Sequence, residues 1–299
     1  MTWNLKYWDI LDQLYWSPKY IGLRSIQKNK CIIDDKYVAV PLELVNPDGP
    51  LYTRGRKALD QYQWMRTQEE TLNHVFDIAF AIAPDAMIER CLALPLGFVD
   101  KGIFQSLGRE VRFRYGWGTS ENITQHDGLF VSKTSIIGVE IKINSATSSE
   151  QILKYASLVV WEEEHSGRKP QVGLLYIVPA HRVSRVLRSC GLDGPNAPLS
   201  ILDKVAHEKL PKRIHELLKH GADRVRDVLD RMVVRAISWS ALYLSLREIA
   251  DASDPNEPGG QTLKRLVEGL TAQIADHFPD MLEEAKTLES PMHTGPIEL

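Results

Sequence analysis

The 299-residue sequence has only three cysteines, Cys31, Cys91 and Cys190, far apart and without a CxxC pair. That spacing excludes a zinc ribbon and a thioredoxin-type redox motif. An odd count fits a chain kept reduced in the cytoplasm. Met1 to Ile10 carries neither a basic n-region nor an apolar h-region, so no secretory leader is expected. Long apolar runs are also missing. The best stretch, Val75 to Val99, is broken by Asp77, Pro84, Asp85, Glu89 and Arg90, and a membrane span needs about 18 uninterrupted apolar residues. The nine histidines include no HExxH spacing, and Pro258-Gly259-Gly260 leads into no GK[ST], so zincin and P-loop chemistry are excluded. No repeat of fixed period occurs. An excess of positive charge is absent too: 36 basic against 39 acidic residues give −3, which on its face argues against nucleic acid.

What is present belongs to an ordinary globular chain, 43% hydrophobic and 25% charged. The net charge divides unevenly. Residues 251–299 hold 10 acids and 3 bases, net −7, which leaves residues 1–250 at net +4. Local charge, rather than the total, governs contact with phosphates.

Three regions are expected. Residues 1–62 read as an extension, with an aromatic helix (Trp3, Tyr7, Trp8, Leu11, Leu14, Tyr15) ended by Pro18 and a hairpin through Cys31 to Val45. Docking on the core is the plain role for that helix; base stacking or a subunit contact is the alternative. Residues 63–250 alternate helices and strands, which predicts an α/β layered core. Helices are expected at Arg66 to Ala83, Pro84 to Leu94, Ser148 to Glu164, His181 to Cys190 and 200–230. Strands are expected at Glu110 to Trp117, Ile123 to Val131, Ser135 to Ile143, Gln171 to Val178 and Val233 to Ser238. Residues 251–299 read as an acidic linker (DASDPNEPGG), a last helix from Thr262 to His277 and a polar tail.

The chemistry concentrates in one hairpin. In Ile136 to Ile143, the residues Ile137, Val139, Ile141 and Ile143 take one face, and Ile136, Gly138, Glu140 and Lys142 the other. A four-residue loop at 132–135 pairs Val131 with Ile136. Continued back along both strands, that register sets Asp127 opposite Glu140, with Cβ atoms roughly 5 Å apart. Two carboxylates so close repel unless a cation lies between them, and Mg²⁺ or Mn²⁺ suits oxygen ligands. Lys142, on the same face, is placed to orient a water and stabilise developing negative charge. The plain alternative is a surface salt-bridge ladder of little energetic worth. Glu284-Ala-Lys286 repeats the Glu-x-Lys spacing in a polar helical tail without a paired acid, so context distinguishes the copies.

Asp127 followed by Glu140-Ile-Lys142 resembles the PD-(D/E)XK nuclease superfamily. Thr147/Glu150 and Ser148/Gln151 have capping-box spacing for the next helix. Within it, Gln151-Ile-Leu-Lys-Tyr155 is similar to the QxxxY motif of the RecB-like branch, whose two residues share a helix face. The likeness covers roughly residues 66–180, with Ile237-Ser238-Trp239 reminiscent of the same families. It implies a restriction-endonuclease-like mixed sheet flanked by helices and a metal-dependent phosphodiesterase. Asp127 and Glu140 would bind metal with the Ile141 carbonyl, Lys142 would position water, and Gln151 and Tyr155 would support the site or the DNA backbone. A further acid from the preceding helix is implied, with Glu69, Glu70 and Glu89 competing. Glu69 falls near 60° from Leu72 on a helical wheel, at the edge of the buried stripe, and Glu70 near 160°, so Glu69 is chosen. His126 stands where the motif's proline would be.

The resemblance implies DNA as substrate, Mg²⁺ or Mn²⁺ as cofactor and, since no target-reading module accompanies the core, a prokaryotic defence or repair setting with a partner ATPase or helicase. A homo-oligomer is compatible and a membrane is not expected. A nuclease-like binding subunit and an RNA-directed nuclease are the alternatives. Arg182, Arg185 and Arg188 form a basic helix stripe, read as a solvated face with phosphate contact as the alternative. Glu162-Glu163-Glu164-His165 is read as solvated, and Cys91 as core.

Overall fold

A five-stranded mixed sheet forms the centre of the computed structural model, in the order β1-β2-β3-β4-β5. The structure describes residues 3, 69–99, 102–107, 127–143, 147–192, 201–204, 210–278, 280–282 and 285, without the side chains of 69–71 and 203–204. The aromatic helix, the 31–45 hairpin, the Glu110 to Trp117 strand and His126 therefore lie outside the described residues. The chain divides into two compact units, residues 1–72 and 73–299, and the architecture below concerns the second.

Helix α1 (Glu69–Ala81) buries Val75, Phe76, Ala79 and Phe80. Helix α2 (Asp85–Ile88) starts after Pro84, whose fixed φ suits a helix entry. The expected continuation to Leu94 is not a regular helix. It widens into a π turn at Glu89–Ala93 and tightens to a 3₁₀ turn at Leu94–Leu96, closed by Gly97 at φ 79°. Pro95 has no N–H for the carbonyl four residues back, so regular helical bonding cannot run through it.

The strands are β1 (Gln105–Ser106), β2 (Gly128–Val131), β3 (Ser135–Ile141), β4 (Gln171–Val178) and β5 (Met232–Ser238). The short β1 was not foreseen; two residues carry no periodicity. The pairs β1–β2 and β2–β3 are antiparallel, and β3–β4 and β4–β5 are parallel. Strand β3 stops at Ile141, two residues before the expected end.

Helix α3 (Ser149–Ser166) crosses from β3 to β4. Ser148 caps it by accepting from the Gln151 N–H, and Gly167 closes it at φ 66°. After β4 come a 3₁₀ turn (Ala180–Arg182), α4 (Val183–Ser189), α5 (Ile201–Lys204) and α6 (Lys212–Arg231). Ser238 caps α7 (Trp239–Ala252) through the Ala241 N–H. The DASDPNEPGG stretch begins as the end of α7 and turns into α8 (Gly260–His277), which packs on α7.

The pleat distributes the core into two layers. On one face Leu129, Val131, Ile136, Leu174, Tyr176 and Val234 pack with Ile152, Tyr155 and Val159 of α3 and Val225 and Val228 of α6. On the other face Phe130 meets Phe80 of α1 edge to face at 6.0 Å. Gly173 lies on that second face, where Leu96 and Phe98 come so close that a Cβ would stand 2.4 Å from Leu96 Cδ1. Among the described residues, no helix is long and apolar enough to cross a membrane.

Candidate active site

The β2–β3 hairpin has the register that its loop length dictates: Val131 faces Ile136 and Gly128 faces Val139. The pairing ends at Gly128–Val139, and Asp127 and Glu140 are the next residues beyond it on the two chains. The turn is fixed by Ser132, whose Oγ accepts from the N–H groups of Thr134 and Ser135 at 3.1 and 2.9 Å.

Glu140 and Lys142 are buried rather than solvent-facing. Their residues are only 2% and 7% exposed, so the surface-ladder alternative does not hold. Lys142 Nζ stands 2.5 Å from Glu140 Oε1, and Gln151 Nε2 donates to the same oxygen. The Tyr155 hydroxyl donates to Glu140 Oε2, while Gln151 Nε2 also reaches the Tyr155 oxygen at 3.0 Å. The two QxxxY residues therefore close over the acid of the preceding strand. Their i, i+4 spacing aims both at one point, and the Ser148 cap fixes where that helix begins.

Asp127 lies in the bend before β2. Its Oδ2 accepts from the Ile141 backbone N–H at 2.7 Å, and its Oδ1 accepts from Asn73 Nδ2 at 2.7 Å. Ile141 thus meets Asp127 through its N–H. Asn73 belongs to α1, which packs on the other layer of the sheet, so groups from both layers meet here. Sequence reasoning passed over Asn73. Glu69, the residue chosen from α1, and Glu70 have side chains outside the described residues. Glu89 lies in the π turn, and it makes no hydrogen bond or ion pair with Asp127 or Glu140 among the described residues.

Burial sets the electrostatics. It pushes the Glu140 carboxyl above its ordinary 4.5, against the opposing pull of the Lys142 ammonium and the donors of Tyr155 and Gln151. Tyr155 is pushed well above 10.0, first by burial and then by the charges of Glu140 and Asp127. Tyr176, beside Glu140 in the β3–β4 register, moves the same way through burial and its neighbours Cys190 and Glu140. Among the described residues, no group of three or more His, Cys, Asp or Glu is gathered tightly enough to hold a metal by itself.

The other features resolve individually. Arg182 NH1 donates to the Ile143 carbonyl at 2.9 Å, so it braces the chain just past Lys142. Arg188 bonds back to the Ser184 carbonyl, and Arg185 is exposed. The Glu162-to-His165 run is not simply solvated. Glu162 is buried, Glu163 pairs with Arg231 and Glu164 pairs with Arg224, which fastens α3 to α6. Cys91 and Cys190 are both buried. No family model, curated protein or solved structure matches the chain.

Proposed function

We propose that the chain is a Mg²⁺-dependent nuclease of the PD-(D/E)XK type, with a restriction-endonuclease-like core, that hydrolyses phosphodiester bonds in DNA. The observation that carries this reading is the convergence on Glu140. Lys142 pairs with it, Gln151 and Tyr155 bond to it from the next helix, and Asp127 accepts from the N–H of Ile141, the residue after it. Two acids, a lysine and an amide–phenol pair come together from separate stretches of sequence.

The donor set fits a hard cation, since carboxylate oxygens are the ligands Mg²⁺ prefers. Asp127 and Glu140 would hold it, with the Ile141 carbonyl adjoining. When bound, the ion supplies Lewis acidity toward a phosphoryl oxygen and lowers the pKa of a ligated water. The side chains do the remaining work. Gln151 and Tyr155 fix the Glu140 carboxylate in one rotamer. The Ile141 N–H and Asn73 do the same for Asp127. Lys142 carries the positive charge that would align a water and offset charge developing at phosphorus. The proposed setting is cytoplasmic, in a defence or repair system with a partner ATPase or helicase that selects the target.

The test is nicking of supercoiled plasmid with Mg²⁺ or Mn²⁺, comparing wild type with Glu140→Ala and Lys142→Ala. Cleavage by wild type alone is expected. A wild-type protein that cuts neither DNA nor RNA, with candidate partners present, defeats the enzymatic reading. One observation favours a second reading, a nucleic-acid- or protein-binding subunit without cleavage. Lys142 is already paired with Glu140 instead of held apart from it. Under that reading the Lys142→Ala and Glu140→Ala proteins bind DNA as wild type does while none of the three cuts it.

A further inference from the structure

Asn73 spends its amide N–H on Asp127 Oδ1. Its own Oδ1 is sealed from solvent and accepts no hydrogen bond among the described residues. A buried carbonyl oxygen without a partner is costly, so its place beside a carboxylate calls for a reason. Such an oxygen can be satisfied by a donor or by a cation. Both amide atoms branch from one carbon, so Oδ1 stands next to the Asp127 carboxylate, whose negative potential draws a cation. Hard divalent ions accept neutral amide oxygens alongside carboxylates.

We propose that Asn73 Oδ1 is an oxygen ligand of the divalent cation held by Asp127 and Glu140, in the place that Glu69 was expected to fill. The proposal rests on the metal-site reading above and gives that site its contribution from α1. An amide in this position adds a ligand without adding charge. Asp127, Glu140 and Lys142 then leave the site at a formal −1, where an acid on α1 would have made it −2. The site therefore binds its cation more weakly than a three-carboxylate site would, and converting Asn73 to an acid should strengthen binding.

The experiment is Mn²⁺ binding to the full chain, read from the spin-resonance signal of the unbound ion, with thermal melting as a check of folding. Wild type, Asp127→Asn, Asn73→Ala, Asn73→Asp and Glu69→Ala are compared. Asn73→Ala should weaken binding by about tenfold. Asn73→Asp should bind at least as tightly as wild type, and Glu69→Ala should match wild type. If Asn73→Ala binds within twofold of wild type, or if Asn73→Asp binds more weakly than Asn73→Ala, the ligand role is overturned while the metal site stands. In the second case Asn73 acts only as a donor to Asp127. If wild type binds no Mn²⁺, or if Asp127→Asn binds as wild type does, the metal-site reading falls and this proposal falls with it.

Discussion

The Tyr155 hydroxyl donates to Glu140 Oε2, so the helix that follows β3 reaches back and grips the acid in that strand. Tyr155 is 1% exposed, so its phenol is shut away from solvent. Tyr155→Phe keeps the ring and removes the donor. The expected cost is about 1–3 kcal/mol in urea unfolding, because one Glu140 oxygen then loses its buried donor. A change below about 0.5 kcal/mol would show that the bond contributes nothing net.

Lys142→Met should be the more damaging change. It leaves the Glu140 carboxylate buried beside an apolar chain, at about 3–5 kcal/mol. Adding Glu140→Gln should recover a large part of that loss, since the uncompensated charge goes with it. A double variant as unstable as the sum of the singles would contradict a direct Lys142–Glu140 coupling.

At the proposed metal site, protons and cations would compete for Glu140. Its folded value is raised, so the native chain holds this proton more tightly than the unfolded chain does. The contribution of Glu140 to stability is therefore greatest at low pH and declines as pH rises from 4.5 through the raised folded value. Cation binding requires the carboxylate. Mn²⁺ affinity should fall as pH drops through that same range, with proton release on binding. Calorimetry in two buffers of different ionisation enthalpy measures the release, and identical heats in both would refute it.

Cys91 provides a separate pH marker. Burial pushes its thiol from 9.0 to about 12, with Arg90 pulling it down and Glu248 pushing it up. In native protein at pH 8 it should resist iodoacetamide, and it should label on unfolding, as peptide mass mapping would read. Its sign is that of a raised acid: stability falls as pH climbs from 9.0 toward 12, because the unfolded thiol ionises first.

Gly173→Ala tests the second layer. The new methyl would sit 2.4 Å from Leu96 Cδ1 and 2.9 Å from Phe98 Cε2. The Leu96 tip can swing away but the Phe98 ring has less freedom, so a loss of about 1–3 kcal/mol is expected. An unchanged thermal midpoint would mean that the layer repacks without cost.

Much of the hairpin was legible because its physics is local. A four-residue loop and a period-two pattern fix the register from Val131–Ile136 onward, and the observed pairing follows it. The Gln151–Tyr155 pair was legible for the same reason, four residues on one helix. What stayed hidden depends on distance or on context. That Lys142 is buried and bonded to Glu140, and not fronting solvent, depends on tertiary packing that the strand's own pattern does not carry. Asn73 was invisible because a neutral residue is easily passed over when acids are sought, although it stands one helical turn beyond Glu69. The π turn at Glu89 to Ala93 and the two-residue β1 leave no periodic trace at all.

The spans of these bonds differ sharply. The grip of Tyr155 on Glu140 closes over 15 residues, whereas Asn73 reaches Asp127 across 54. Closing the shorter loop costs less chain entropy. Among the described residues, the groups bonded to Glu140 come from Lys142 and α3 and none from α1. Asp127 is different, since its bond from Asn73 forms only when α1 is seated. Local loosening of α1 would therefore cost Asp127 its bond from Asn73 while leaving the Tyr155 and Gln151 bonds to Glu140 in place.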